Sequence, residues 1–181
     1  MSPRMKARLR SAAVMAGLAV LVFVGVSWGV SAVSEPFPQR EDPPICVENE
    51  LTAGDLLRPG SVTVSVLNGG DRSGLASTTR ADLVARGFGQ GVLDNLSASE
   101  AEAADVRSAQ IWSTQGRSAA VRLVASYLGG KVEVVDRAGQ VGGKDAGVVV
   151  VVGDRFPGVV PGLNRVEVDS SSTVCSPPAL S

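Results

Sequence analysis

The sequence of 181 residues contains no histidine and only two cysteines. Without histidine, the chain lacks the most common general base, the Ser-His and Cys-His nucleophile pairs, and the usual zinc ligand sets. It also lacks a dominant charge, since 17 basic and 18 acidic residues leave a net charge of -1, and no strong field attracts nucleic acid. We therefore expect no catalytic residue, no cofactor, no metal site and no nucleic-acid partner.

Charge is also absent from a long segment near the N-terminus. Residues 11–34 form an uncharged run of 24 residues, and a helix of that length can span a hydrocarbon core of about 30 Å. Basic residues precede the run and Glu35 is the first charge after it, which places the N-terminus in the cytoplasm by the positive-inside rule. The sequence therefore predicts a cytoplasmic basic segment at 1–10, a single-pass anchor in the cell membrane at 11–33, and an extracytoplasmic remainder.

A cleaved signal peptide is the alternative to an anchor. Val30, Ser31 and Ala32 form an acceptable cleavage site. The apolar stretch of about 20 residues, however, is longer than the roughly 7–15 residues of a typical signal peptide, so an uncleaved anchor is preferred. Both interpretations export residues 35–181, which carry 13 basic and 18 acidic groups, a net charge of -5. That sign disfavours binding to nucleic acid or to acidic lipid headgroups.

Proline marks the limits of the exported domain. Residues 34–60 contain five prolines and no apolar period long enough for a helix or strand, which predicts a linker. Residues 157–181 contain four prolines and a run of three serines, which predicts a C-terminal tail with one short strand at 165–168. The domain itself is then predicted at 61–156.

The apolar pattern of the predicted domain indicates a succession of strands and helices. Residues 61–67 alternate strictly between apolar and polar side chains, as in a half-buried strand. A helix is predicted from an N-cap at Ser73 to Arg86, with Gly87 after it. Its inward side carries Leu75, Ala76, Thr79 and Leu83. The remaining segments are predicted as a helix at 117–128, strands at 88–93, 107–113, 132–135 and 146–152, and a loop or short helix at 97–105.

The order of these segments, βαββαββ, predicts an α/β (α+β) fold. We expect a two-layer sandwich with a mixed sheet and two helices on one face, preceded by one transmembrane helix. Ferredoxin-like topologies are the nearest generic model. The unbroken apolar run at 148–152 indicates a central strand whose second face needs cover, and we expect the tail to provide it.

A glycine-rich turn joins the first strand to the first helix. It is the candidate binding turn, and its residues are Asn68, Gly69, Gly70, Arg72 and Gly74. Such a turn can cradle phosphate on backbone N–H groups, with Arg72 as the one cation beside them. However, the segment has neither the Gly-Lys-Ser end of a P-loop nor the G-x-G-x-x-G spacing. We prefer a structural turn, in which Gly69 and Gly70 adopt left-handed conformations and Gly74 lets the helix approach the sheet.

Acidic residues offer two weaker hypotheses. A carboxylate pair for hydrolysis is conceivable among Glu100, Glu102 and Asp105, but nothing fixes its geometry, and a solvated acidic loop is the preferred interpretation. A group of aspartates near strand ends lacks calcium-loop spacing, so no metal site is predicted at Asp94, Asp136, Asp145 and Asp154.

Cys46 and Cys175 lie outside the predicted core, one in the linker and one in the tail. An even number of cysteines in an oxidising compartment favours a disulfide. Redox catalysis would need a C-x-x-C type motif, which the chain lacks. We expect a structural bridge that ties the tail back to the linker and stabilises the domain by roughly 4–5 kcal/mol in the loop-entropy model.

Four short motifs follow one another along the domain. They are a V-x-V-x-V-x-N-G strand at 62–69, a G-L-A helix start at 74–76, an R-G-F helix end at 86–88, and a V-V-G-D strand end at 151–154. Together they resemble the LytR C-terminal domain family, LytR_C. The resemblance covers about residues 61–156.

This family occurs either appended to LytR-CpsA-Psr phosphotransferases or alone behind one membrane anchor. The chain resembles the second kind, the actinobacterial envelope integrity proteins, because it has no room for a phosphotransferase domain. The resemblance implies a non-enzymatic, membrane-anchored protein that supports cell envelope integrity or cell wall assembly by binding envelope or wall assembly proteins. The alternative is a protein that holds a lipid or polyprenyl carrier in an apolar groove beside small residues, namely Ala76, Ala119, Ala120 and Ala125.

Overall fold

A computed structural model describes residues 14–28, 44–137, 140–141, 144–145 and 147–178. The chain divides into two units, Met1–Asp42 and Pro43–Ser181. In the first unit, 14–28 form helix α1, and all of these residues are exposed. Among the described residues, no helix has both the length and the apolar character needed to cross a membrane.

Several predictions about the N-terminus lie partly or wholly outside the described residues. The basic segment at 1–10 and the cleavage site at 30–32 lie wholly outside them, and so do both ends of the anchor predicted at 11–33. The anchor therefore stays a prediction.

The second unit contains most of the regular structure. In chain order its elements are β1 (Val47–Leu51), β2 (Leu56–Leu57), a 3-10 turn (Pro59–Ser61), β3 (Thr63–Asn68), α2 (Leu75–Ala85), β4 (Gly89–Asn95), α3 (Ala98–Ala104), β5 (Ala109–Trp112), α4 (Ala119–Tyr127), β6 (Glu133–Val135), β7 (Gln140–Val141), β8 (Lys144–Asp145), β9 (Val148–Val152), β10 (Val166–Glu167) and β11 (Ser172–Ser176).

The main sheet has five strands in the order β4-β3-β9-β5-β6. It consists of two parallel units, β3-α2-β4 and β5-α4-β6, with β9 between them. Strand β9 pairs parallel to β3 and antiparallel to β5, so the sheet is mixed, as predicted. The ferredoxin-like model is wrong, because that topology inserts another strand between the two strands of each unit, whereas here they are direct neighbours.

Helices α2 and α4 pack on the same face of this sheet and enclose the larger core cluster. The four residues predicted for the inward side of α2 are its buried residues. Helix α4 buries seven of its nine residues. From the sheet, Val64 and Val66 of β3 and Val150 of β9 face the helices and are at most 1% exposed.

The opposite face of the sheet carries a second, smaller core cluster. It contains Val149 and Val151 of β9, together with Leu67, Val106 and Trp112. The end of α3 and the chain before this helix cover this face, because Ala104 and Leu96 pack against the cluster. No tail residue belongs to it among the described residues, so the tail is not the cover that we expected for β9. Strand β3 is consequently buried along both faces rather than half-buried, and even Thr63 and Ser65 are inaccessible.

The segments on either side of 61–156 are more ordered than expected. Within the predicted linker, described residues form β1, β2 and the 3-10 turn, which corrects the prediction of no regular element there. Strand β1 pairs antiparallel with β11, and β2 pairs antiparallel with β10. Leu57, Val168 and Val174 from these segments complete the larger core cluster. The sequence did not predict these elements because they form by pairing between distant parts of the chain, which leaves no local apolar period.

The predicted disulfide between Cys46 and Cys175 is confirmed. The two Cα atoms are 5.3 Å apart and 129 residues separate them along the chain. Cys46 directly precedes β1 and Cys175 lies within β11, so the bridge fastens this strand pair at one end.

Helix α2 begins differently from the prediction. Its N-cap is Gly74, with a left-handed φ of 78°, rather than Ser73, and it makes no side-chain cap. Gly87 follows the helix with a φ of 96°, as expected for a glycine that ends a helix. The segment predicted as a loop or short helix is helix α3, which starts with a capping box formed by Ser97 and Glu100.

Candidate functional site

The candidate binding turn leaves the carboxyl end of β3, beside the carboxyl end of the parallel strand β9. It lines a cleft of about 360 Å³, together with the α3 to β5 connection and the residues after β9. Ligand sites of open α/β sheets are typically found outside the carboxyl ends of strands. The turn therefore lies where this architecture commonly binds ligands.

Hydrogen bonds within the turn fix its shape. The Asn68 side chain accepts a hydrogen bond from the Gly70 N–H at 3.4 Å and donates one to the Arg72 carbonyl at 3.4 Å. The Gly69 N–H donates to the Val152 carbonyl of β9 at 2.8 Å. Asn68 therefore shapes the turn with both ends of its amide.

Asp154 is the turn's partner across the cleft. Its Oδ1 accepts a hydrogen bond from the Arg72 N–H at 2.9 Å, over a separation of 82 residues. The sequence places Asp154 near a strand end, where no metal site is predicted, and in the V-V-G-D motif, but it does not predict the contact with the turn. The V-V-G-D motif at the end of β9 was the available signal, since it places this carboxylate directly after a strand that pairs with β3.

The glycines of the turn have different roles from those predicted. Gly69 and Gly70 are not among the glycines with positive φ, so the predicted left-handed conformations are wrong. They are glycine because a Cβ at Gly69 would lie 2.9 Å from a methyl group of Val151, and one at Gly70 would lie 2.7 Å from the Asp154 carboxyl carbon. Gly74, by contrast, has a φ of 78°, and a Cβ there would have only the Ser77 Oγ within 4 Å, at 3.9 Å, which is an ordinary contact. Its requirement is therefore conformational rather than steric.

Hydrogen bonds within the protein occupy the backbone N–H groups of the turn that could otherwise bind an anion. The backbone N–H groups of Gly69, Gly70 and Arg72 all donate within the protein. The cleft is lined by three aspartates, Asp71, Asp105 and Asp154, and by two arginines, Arg107 and Arg155, so its lining has no excess of positive charge to attract an anion. These contacts support the structural interpretation of the turn, and its role in binding stays a prediction.

The acidic candidates do not come together as a catalytic pair. Asp105 lines the cleft and forms an exposed ion pair with Arg107 at 3.5 Å, whereas Glu100 and Glu102 do not line it. Hydrogen bonds from the Ser97 side chain and backbone hold the pKa of Glu100 below its ordinary value. Glu100 therefore serves as a helix cap.

The other aspartates near strand ends are Asp94, Asp136 and Asp145. Asp94 accepts a hydrogen bond from the N–H of Asn95 at 2.8 Å, and Asp136 is exposed. The side chain of Asp145 lies outside the described part of the structure. Within the described ranges, no three acidic or cysteine side chains are placed to hold a metal ion.

The alanines proposed to line a lipid groove are buried. Ala76, Ala119, Ala120 and Ala125 are 5–6% exposed and belong to the larger core cluster. Close packing of the helices against the sheet accounts for their small size. The lipid-binding alternative stays a prediction.

We expect Arg72→Ala to leave the melting temperature and the function unchanged. The substitution keeps the backbone N–H that donates to Asp154, and the Arg72 side chain is exposed. Asp154→Ala is the comparison, because it removes the acceptor and should lower the free energy of unfolding by about 1 kcal/mol. Thermal unfolding and complementation of an envelope defect measure both effects. A folded but inactive Arg72→Ala protein would instead identify the turn as a binding site.

Comparison with known proteins gives one family match. The model of LytR_C, LytR cell envelope-related transcriptional attenuator, matches residues 61–156. A comparison with curated protein sequences found no match. Among solved structures, the chain is similar to the soluble domain of a conserved hypothetical secreted protein, the Rv2700 ortholog, from Mycobacterium marinum. That similarity has a TM-score of 0.45 and 22% sequence identity, and covers 61% of this chain and 70% of the other.

Proposed function

Because the chain belongs to the LytR_C family, we propose that it is a membrane-anchored extracytoplasmic protein that supports cell envelope integrity or cell wall assembly. It acts by binding a partner and catalyses no reaction. The observation that carries this proposal is the family match, which spans the whole five-stranded sheet and helices α2 to α4. The description of the family refers to the cell envelope.

The disulfide supports an extracytoplasmic location for the second unit. Disulfides form and persist in oxidising compartments outside the cytoplasm and are rare inside it. The pairing of Cys46 with Cys175 joins the segment before the domain to the segment after it, so oxidation stabilises the folded form. This is the behaviour expected of an exported domain.

The composition of α1 supports the membrane anchor. Its residues, 14–28, are uncharged, and four basic residues precede them in the sequence. The large apolar side chains of this helix are exposed, at 51–80%. Apolar side chains with this exposure are more stable in lipid than in water, which favours a membrane location for this segment.

We expect the mature protein to keep its original N-terminus and to remain with membranes after carbonate washing. An uncleaved anchor is held by burial of apolar side chains in lipid, which high pH does not reverse. A variant with Val20→Arg and Val24→Arg is the control and should be released or fail to insert, because each arginine opposes insertion by about 2.5–3.5 kcal/mol. N-terminal sequencing of the washed fraction tests the alternative. A mature N-terminus at Val33 would contradict the anchor.

Crosslinking in the native membrane tests the function. A photoreactive residue is placed in the full chain at Arg72, in the candidate binding turn, or at Leu163, an apolar side chain that is 53% exposed. A covalent adduct with a protein of envelope or wall assembly is the expected result. A lipid adduct would instead favour the lipid-carrier alternative. Absence of any adduct in cells where the protein complements an envelope defect would contradict partner binding at both positions.

A further inference from the structure

A second cleft, of about 530 Å³, lies at the other end of the strands from the candidate binding turn. One wall is the β5 to α4 connection, and the other is the segment 169–173. Because β5 runs antiparallel to β9, this connection leaves the sheet at the end where β9 begins. The volume falls within the range of roughly 300–1,000 Å³ that is usual for small-molecule sites.

Side-chain contacts hold the two walls of this cleft together. The Gln115 amide donates a hydrogen bond to the Thr173 hydroxyl at 2.8 Å. Arg122 of α4 forms an ion pair with Asp169 and donates to the Glu167 carbonyl at 2.7 Å. The cleft is therefore built by defined contacts between the domain and its C-terminal segment.

The lining of the cleft is rich in hydroxyl groups. Ser118 and the four consecutive residues 170–173 carry hydroxyls, and Gln115 carries an amide. The Ser118 hydroxyl accepts from the Val121 N–H and the Thr173 hydroxyl accepts from Gln115, so both can still donate to a ligand. A hydroxyl both donates and accepts hydrogen bonds, so such a lining suits a ligand that itself carries several hydroxyls. Ala119 supplies the one purely apolar side chain of the lining. A lipid chain would therefore find little complementary surface.

The charge of the cleft is positive. Two basic or acidic side chains line it, Arg117 and Asp169. The negative charge of Asp169 is neutralised by Arg122, whereas Arg117 is exposed and has no ion pair or side-chain hydrogen bond within the described structure. One uncompensated guanidinium thus remains, and guanidinium groups bind phosphate and carboxylate groups well.

We propose that this cleft binds a small anionic sugar, one that carries a phosphate or a carboxylate group. Arg117 pairs with the anionic group, and the hydroxyls of 170–173 bind the hydroxyls of the sugar. Five of the nine residues that line the site lie outside the LytR_C match at 61–156. The inference does not depend on the proposed function, because it rests on the cleft alone.

Binding is tested on the full chain in detergent. The protein is titrated with glucose 6-phosphate, glucuronate, glucose and inorganic phosphate, and binding is measured by NMR and calorimetry. We expect one or both anionic sugars to shift the amide signals around Ser118 and Ser171. Glucose and inorganic phosphate should each bind at least tenfold more weakly, since each lacks one half of the recognised groups. The proposal would be overturned if glucose or phosphate bound as tightly as the anionic sugars. It would also be overturned if neither anionic sugar bound at about 10 mM, the highest concentration tested.

Matched variants assign the binding to this cleft. Arg117→Gln should lower the affinity for anionic sugars about tenfold, because it removes a charge-assisted hydrogen bond. It should leave the melting temperature unchanged. Arg165→Gln removes another exposed arginine that does not line the cleft and should leave the affinity unchanged. Equal affinities of the wild type and Arg117→Gln would overturn the proposal.

Discussion

Removal of the disulfide by the double substitution Cys46→Ser and Cys175→Ser is expected to lower the free energy of unfolding by about 2–5 kcal/mol. The bridge closes a loop across 129 residues, and a loop of that length restricts the unfolded chain strongly. In the loop-entropy model the effect is about 4.7 kcal/mol for a 100-residue loop, and measured values are often smaller.

The native state also depends on the bridge. Leu57, Val168 and Val174 belong to the flanking segments and fill part of the larger core cluster. The short pairs β1 with β11 and β2 with β10 hold these segments in place. Two-stranded sheets of this size are marginal on their own. Without the bridge, fraying of these pairs would expose the three side chains.

Urea unfolding of the full chain in detergent, monitored by circular dichroism, measures the loss in free energy of unfolding. The single variant Cys46→Ser should be as unstable as the double variant, since either change removes the bridge. Wild-type protein should reach the same stability after reduction. Both cysteines of the unreduced wild type should resist alkylation, because the disulfide leaves no free thiol. A stability loss below about 1 kcal/mol would show that other contacts hold the flanking segments.

Elements with a local pattern could be predicted from the sequence. The period of α2 identified its four buried residues, and the alternation at 61–67 located β3. These patterns succeed because the spacing of apolar side chains follows directly from helix and strand geometry. They state which side of an element is buried, but not whether the other side is covered too. The burial of Thr63 and Ser65 was missed for that reason.

Pairing between distant segments could not be predicted. Strand β1 has the sequence VENEL, which is largely polar and exposed, and its partner β11 lies at the other end of the domain. The position of β9 between the two parallel units likewise depends on the whole chain. Such pairings arise from the balance of long-range contacts, and a single sequence carries no local signal for them.

Glycine illustrates the same limit at the candidate site. The sequence located Gly69, Gly70 and Gly74, but it did not distinguish a glycine required by positive φ from one required by a close neighbour. The distinction needs the positions of atoms from other strands. Gly153, in the V-V-G-D motif, is a further glycine of the second kind.

We expect Gly153→Ala to lower the free energy of unfolding by about 3 kcal/mol. An added Cβ would lie 2.7 Å from the carbonyl carbon of Val106 and 2.9 Å from that of Arg107. Both are backbone atoms, and the contact is fixed by hydrogen bonds from the Gly153 N–H to the Ser108 carbonyl at 2.7 Å and from the Arg155 N–H to the Arg107 carbonyl at 2.8 Å. The backbone would therefore have to separate at the base of the cleft beside the candidate binding turn.

Gly60→Ala is the matched control for this substitution. The Cβ added at Gly60 would have only the Gly87 carbonyl oxygen nearby, at 3.7 Å, which is an ordinary contact. Gly60 is not among the glycines with positive φ, so alanine there should be neutral or stabilising by up to about 1 kcal/mol. Urea unfolding of both variants separates the steric effect at Gly153 from the general effect of glycine on the unfolded chain. Equal stability of the two variants would contradict this explanation. It would mean that the close contact between Gly153 and the connection from α3 to β5 does not require a glycine.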